Sequence, residues 1–437
     1  MLEEIVAALR ARSDIFGWSV REISRSGVQV YMVPEAVEAR RDVADRRYVI
    51  DVVRHTPGAD GSMTAGSGNV TLLPGDSVAP ALESAVIMAG LVHNQIYSLP
   101  LPHELPEVMS ADPAILSDAD ATLDTLLSRL EAAVALLPAV RLTAAEFASE
   151  EQQVHLCSST GIDATRTETL VTAEWVLLCR EGDRETEAFV EMTRRRAADI
   201  PIEAEVARRA QYALDGLHTT SPPQWSGPVV LRDDTLATFL HGGVLQTLGS
   251  GQAKYSEASP WELGQSVFGE AVQGEPLFVF ATRQLPYGNH AERFDDEGLP
   301  AQRVPLIVDN VLQTFITDQR YADYLQLAPT GNFGDIEVPA GTMSAGALLE
   351  EPYVEVATFS WFNPDEISGD FTSEIRLGYL HADGKRLPFK GGALVGNVLQ
   401  ALTNAHWSAE TGFYGDYQGP TTVRFGQLTV AGEGEQA

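Results

Sequence analysis

A polar, turn-rich segment from His218 to Pro228, reading HTTSPPQWSGP, divides this chain into two stretches of different hydrophobic texture. The division matters because 437 residues exceed what one ordinary core organises, at about 150 residues per domain. Before the segment, amphipathic helices alternate with strands. Leu2, Ile5, Val6 and Leu9 share one face of an opening helix, a second helix is expected from Ala81 to Ile96, and a third from Ser117 to Leu137 carries a leucine stripe stopped by Pro138. Strands are expected at Val28 to Val33, Tyr48 to Arg54, Val140 to Ala148, Gln153 to Ser158 and Thr169 to Cys179. A hairpin turn falls between Pro57 and Gly68, and a further helix runs from Ile202 to Gly216. After the segment come a helix from Asp234 to Leu248 and many short β pieces, among them Val311 to Thr317, Tyr353 to Phe359 and a hairpin turning at Asp383-Gly384. The expected fold class is α+β. An N-terminal α/β-type domain of sheet plus helices spans 1–217, a linker 218–228, and a C-terminal domain dominated by antiparallel sheet 229–437.

Charge and cysteine content exclude several function classes. The formal net charge of -31 repels phosphate backbones and anionic lipid, so neither nucleic acid nor membrane is an expected partner. Cys157 and Cys179 are too few for a disulfide framework or a cysteine-rich zinc module, and both lie in apolar runs where burial and inertness are expected. Glu3 and Glu4 stand where a signal peptide is basic, and no apolar run reaches the roughly 20 residues that span a bilayer. A cytoplasmic location is the simplest expectation.

The most chemically suggestive segment is DTLATFLHGGVLQTLG, from Asp234 to Gly249. A zinc peptidase helix presents His, an adjacent Glu and a second His about a turn later, because imidazoles hold the ion and the carboxylate takes a proton from its water. Here His241 precedes Gly242, and the second position falls on Leu245 or Gln246. One His does not hold a catalytic zinc, and a lone His on an apolar helix is most often structural. Elsewhere there is no GxSxG elbow, His103-Glu104 sits between Pro102 and Pro106 in a loop, and His290-x-Glu292 lacks the Pro-Cys-x-x-Cys of a deaminase. The run Asp295-Asp296-Glu297-Gly298 reads either as a turn or as an oxygen cluster for a hard cation.

Taken in order, several elements resemble the TldD/TldE (PmbA) family: SSTG at Ser158 to Gly161, PVVLRDDTLATFLH, the stretch from Phe294 to Phe333 with its Asp-Glu-Gly and Thr-Gly-Asn turns, SGDF at Ser368 to Phe371, and KGGALVGNVLQAL from Lys390. In that family a TldD-type chain carries an HExxxH helix and a later Cys in a GxCG turn, and pairs with a TldE-type chain lacking them. The resemblance places His241 at the first His, Gly242 at the Glu, Gln246 at the second His and Tyr414 at the Cys. It therefore implies a TldE/PmbA-like non-catalytic subunit with no catalytic or metal-ligating residue of its own and no cofactor bound by this chain alone. Zinc is expected in a TldD-like catalytic partner, as a heterodimer cleaving peptide or N-acyl amide bonds. Thr330, Gly331, Asn332, Asp370 and Phe371 are the expected lining of the shared cleft. The alternative is a metal-free peptide- or protein-binding scaffold.

Overall fold

The computed structural model describes residues 1–34, 36–58 and 61–432. Its first sheet has six strands, β1 (Gly17–Val33), β2 (Ala36–Pro57), β3 (Met63–Leu72), β4 (Val140–Ser158), β5 (Asp163–Glu181) and β6 (Arg184–Arg194), in the order β3-β2-β1-β4-β5-β6 and antiparallel throughout. Alternation assigns each face a different task. Val20, Val30, Ile50, Phe147 and Trp175 point to one side and are buried there. Helices α1 (Leu2–Arg10) and α2 (Val78–Leu91) cover one end of that face. The short α3 (Pro113–Ser117), then α4 (Ala119–Ala135) and α5 (Ile202–Gly216), cover the other. The opposite face carries Arg21, Asp51, Arg166 and Glu168, and meets the C-terminal half.

Several boundaries differ from the sequence expectation for identifiable reasons. The two strands expected at Val140 to Ala148 and Gln153 to Ser158 are one strand, β4, because Ser149 to Gln152 complete ladders on both sides despite their polarity. The helix expected from Ser117 breaks at Asp118, whose carboxylate accepts from the Ala121 N–H at 2.9 Å and starts α4 afresh. Helix α2 stops at Leu91, short of Ile96. The turn expected between Pro57 and Gly68 joins β2 to β3, and Ala59 and Asp60 within it lie outside the described residues. Strand β7 (Trp225–Arg232) begins inside the expected linker, which shortens the connection.

The C-terminal half holds two sheets. In the larger, β7 pairs with Tyr353–Phe359 and with Thr422–Ala431, which pairs with Ala393–Asn397, which pairs with Asp370–Ala382. Tyr353–Phe359 also pairs with Asp370–Ala382, so these strands close into a ring that leaves them no free edge. The turn at Asp383 and Gly384, with φ of 54° and 69°, joins Asp370–Ala382 to Lys385–Phe389 as the Asp-Gly pair requires. The smaller sheet includes Val279–Thr282, Arg303–Val308, Asp335–Glu337 and Tyr417–Pro420, while the strand expected from Val311 to Thr317 is confined to Val311–Leu312. Among the described residues, no helix is long and apolar enough to cross a membrane.

Candidate functional site

The helix expected from Asp234 to Leu248 is two helices, α6 (Asp233–Leu240) and α7 (Val244–Leu248). His241 caps the first, and Gly243 at φ 93° reverses the chain into the second, a conformation that glycine adopts without steric cost. α6 is anchored at both ends of its buried face. Phe239 packs on Phe362, Phe371 and Phe425, and Thr235 donates to the Ala357 carbonyl at 2.8 Å. At its start, Asp233 and Asp234 pair with Arg208 and Arg209 of α5, which ties the two halves of the chain together.

His241 Nε2 lies 2.8 Å from the Asp416 carbonyl oxygen, and Gln246 Nε2 approaches His241 Nδ1 at 3.4 Å. A carbonyl only accepts and an amide N–H only donates, so this network assigns the ring proton to Nε2. Tyr414 turns away from His241 and donates its hydroxyl to Asp233 at 2.7 Å. Burial, with the nearby Asp233 carboxylate, holds that phenol well above its ordinary range. The chain's own segment 360–366 fills the space beside Gly242: a Cβ there would come within 2.7 Å of the Phe362 ring and 2.9 Å of Pro364.

These residues do not fit a zinc ion. His241 Nε2 is engaged by a backbone carbonyl and Nδ1 faces the Gln246 amide, Gln246 itself is neutral, Tyr414 stays protonated and is bonded to Asp233, and no carboxylate follows His241 to act as base. The four motif positions are gathered in one region, but their side chains serve packing and hydrogen bonding.

The Asp295 run has a similarly structural explanation. Asp295 is buried, accepts from the N–H groups of Glu297 at 3.0 Å and Leu299 at 2.9 Å, and lies 3.9 Å from the fully buried Arg283. Asp296 pairs with Arg21 and Arg166 from the N-terminal sheet. The turn reading accounts for this run: arginines face Asp295 and Asp296, and Asp295 closes the turn through backbone N–H groups. Glu292 is claimed in the same way, 2.7 Å from Arg166 and 3.2 Å from Arg283, while His290 is held by Asp335 at 2.9 Å. Burial raises Glu292 to about 7 in spite of its arginines.

Of the residues expected to line a cleft, Thr330 is buried and Phe371 belongs to the aromatic cluster under α6, so neither faces an opening. Gly331, at φ 82°, and the Asn332 N–H, 3.2 Å from Asp295, complete the Asp295 turn. Asn332 and Asp370 have exposed side chains, with Asp370 accepting from Asn397 Nδ2 at 2.8 Å. No hydrogen bond or ion pair joins the 330–332 turn to Asp370 among the described residues. The cavity that sequence reasoning missed lies between the two halves. It measures about 300 Å³ and is lined by Trp18, Arg21, Tyr97, Asp296, Glu297 and Arg320, among others. Burial raises Glu297 to about 7, and its carboxylate accepts from the Gln319 N–H at 3.1 Å.

Residues 225–432 match the PmbA/TldA metallopeptidase C-terminal domain. A Haemophilus influenzae protein named metalloprotease TldD homolog is 26% identical over 208 residues, which are 44% of this chain and 42% of that protein. Through residues 225–432 the chain belongs to the TldD/TldE (PmbA) family. An uncharacterized protein of Methanocaldococcus jannaschii is 22% identical over 57% of this chain and 60% of its own length, so these curated relatives are matched over about half their lengths. The fold is shared more widely. TldE from Thermococcus kodakarensis superposes with a TM-score of 0.80 at 16% identity, covering 99% of this chain and 100% of that one. A Thermotoga maritima protein described as a candidate modulator of a DNA gyrase gives 0.81 at 16% identity with the same coverage. The residues that the resemblance sets at the metal-motif positions, Gly242, Gln246 and Tyr414, each have a structural partner within the chain.

Proposed function

We propose that this chain is the non-catalytic subunit of a heteromeric TldD/TldE-type zinc metallohydrolase acting on peptide or N-acyl amide bonds. The observation that carries the reading is the condition of the metal motif. His241 is engaged by the Asp416 carbonyl, Tyr414 by Asp233, and the position of the general base is packed against Phe362 and Pro364. Losing the base together with two ligands leaves no partial zinc mechanism, so the zinc and the base reside in a TldD-like partner.

In that assembly the chain supplies surface and shape. It closes the partner's site against water and holds an extended substrate by loops or strand edges. The exposed Asn332 and Asp370 are its candidates for the cleft rim. The test compares the lone chain, a TldD-like chain and their mixture for hydrolysis of an unfolded peptide and of an N-acetyl amide. Hydrolysis confined to preparations containing the TldD-like chain, and enhanced in the mixture, supports the reading. Chelator-sensitive hydrolysis by the lone chain overturns it. A chain that binds peptide but neither joins the TldD-like protein nor alters its activity is instead a metal-free scaffold.

A further inference from the structure

We propose that His155, Cys157 and Asp163, on the β4–β5 hairpin, form a binding site for a borderline-soft divalent metal ion such as zinc. Among the described residues this is where three His, Cys, Asp or Glu donor atoms lie within 4.8 Å of one another. The site is remote in sequence and role from the degenerate motif at His241.

Strand geometry assembles it. His155 and Cys157 are two residues apart on β4 and share a face, while Asp163 is the cross-strand partner of Cys157 in the register and projects to that same face. The turn from Ser158 to Ile162 is pinned by the Ile162 N–H to Ser158 Oγ bond at 3.1 Å and by Gly161 at φ 99°. The donors are thus fixed by the ladder and do not depend on a mobile loop. Glu22, opposite His155 in the β1–β4 register, adds a further carboxylate to this face.

The separations suit an ion. Cys157 Sγ lies 3.5 Å from His155 Nε2 and 3.9 Å from Asp163 Oδ1, and His155 Nε2 lies 2.7 Å from Asp163 Oδ1. Tetrahedral zinc with bonds of about 2.3 Å to sulfur and about 2.0 Å to nitrogen and oxygen spaces its ligands by about 3.3 to 3.6 Å. Small side-chain rotations bridge the difference. Side-chain exposures of 32% for His155 and 77% for Asp163 leave an entry path and a fourth position for water.

A nucleophilic thiol is the competing reading, and the geometry opposes it. A Cys-His-acid relay places thiol and acid on different ring nitrogens. Here both approach Nε2, so the three groups converge on one point instead of forming a chain. Thiolate and imidazole donors favour zinc-like ions over calcium or magnesium. Binding releases the Cys157 thiol proton to solvent, and the His155 ring shifts its proton to Nδ1 without net change.

The test is cobalt(II) titration of the full-length chain under reducing, metal-free conditions, followed by zinc back-titration. The expected result is one cobalt per chain, with a thiolate-to-cobalt charge-transfer band that zinc removes. Cys157→Ser abolishes the band and Asp163→Asn weakens binding at least tenfold, whereas Cys179→Ser, at a buried cysteine outside the site, keeps both. Asp163 is exposed, so its variant keeps the fold. Absence of the band in the folded chain, or its survival in Cys157→Ser, overturns the proposal.

Discussion

His241 directs Nε2 at the Asp416 carbonyl, 2.8 Å away across 175 residues of sequence, so a backbone group engages this ring nitrogen while Nδ1 faces the Gln246 amide. Restoring the motif letters therefore does not restore the site. The triple variant Gly242→Glu, Gln246→His, Tyr414→Cys is expected to bind no more zinc than the unaltered chain, measured by elemental analysis after dialysis. It is also expected to lose about 1–3 kcal/mol from overpacking at residue 242, where a Cβ meets Phe362 at 2.7 Å. One additional equivalent of zinc in the variant would show that the region rearranges freely.

Tyr414 supplies a charge-assisted hydrogen bond to Asp233, 2.7 Å away, at the start of α6. Tyr414→Phe keeps the ring packing and removes this donor, leaving Asp233 with Arg208 at 3.1 Å. Urea unfolding is expected to show a loss of about 1.5–3 kcal/mol. Because burial and Asp233 raise the phenol's pKa, spectrophotometric titration is expected to find one tyrosine fewer ionising last in the variant.

The same residues show what was legible in the sequence. Helix α5 from Ile202 to Gly216 and the strand Tyr353–Phe359 emerge within the expected bounds, because 3.6-residue and strand-like patterns are local. The Asp383-Gly384 turn is equally local. The unity of β4 was hidden, since its polar middle is stabilised by neighbours on two other strands. Closure of the ring and the tie from Tyr414 to Asp233 depend on contacts far apart in sequence, such as the 181 residues separating the last pair, whereas the break after His241 had a local signal in Gly242-Gly243. Ordered turns carried the family resemblance, while the partners of His241 and Tyr414 required three dimensions.

Arg166 is a buried cation at the junction of the two halves. It is buried within 2.7 Å of both Glu168 and Glu292. Arg166→Met leaves carboxylates buried with less compensation and is expected to cost about 3–5 kcal/mol. The double variant with Glu292→Gln is expected to cost less than the sum of the singles, because the second change removes the charge the first exposes. Additive losses in a double-mutant cycle would mean the two groups are not coupled.

Glu297 makes stability depend on pH in a predictable direction. Its carboxyl rises from an ordinary 4.5 to about 7 because burial disfavours the charge, with Asp318 and Asp295 adding repulsion and Arg320 opposing it. The folded state therefore binds this proton more tightly than the unfolded chain does. Its contribution is fully present below about 4.5 and is lost as pH rises through about 7, so stability falls across that window. Glu297→Gln keeps an oxygen to accept from the Gln319 N–H and removes the titration. Urea midpoints at pH 5 and pH 7.5 are expected to differ less in Glu297→Gln than in the unaltered chain, with the two proteins diverging at the higher pH in favour of the variant. Glu292, Asp295 and Asp335 are also raised by burial and remain in both proteins, so the difference between the two curves isolates Glu297. Parallel curves would mean that water reaches the Glu297 carboxylate through the cavity it lines and solvates its charge.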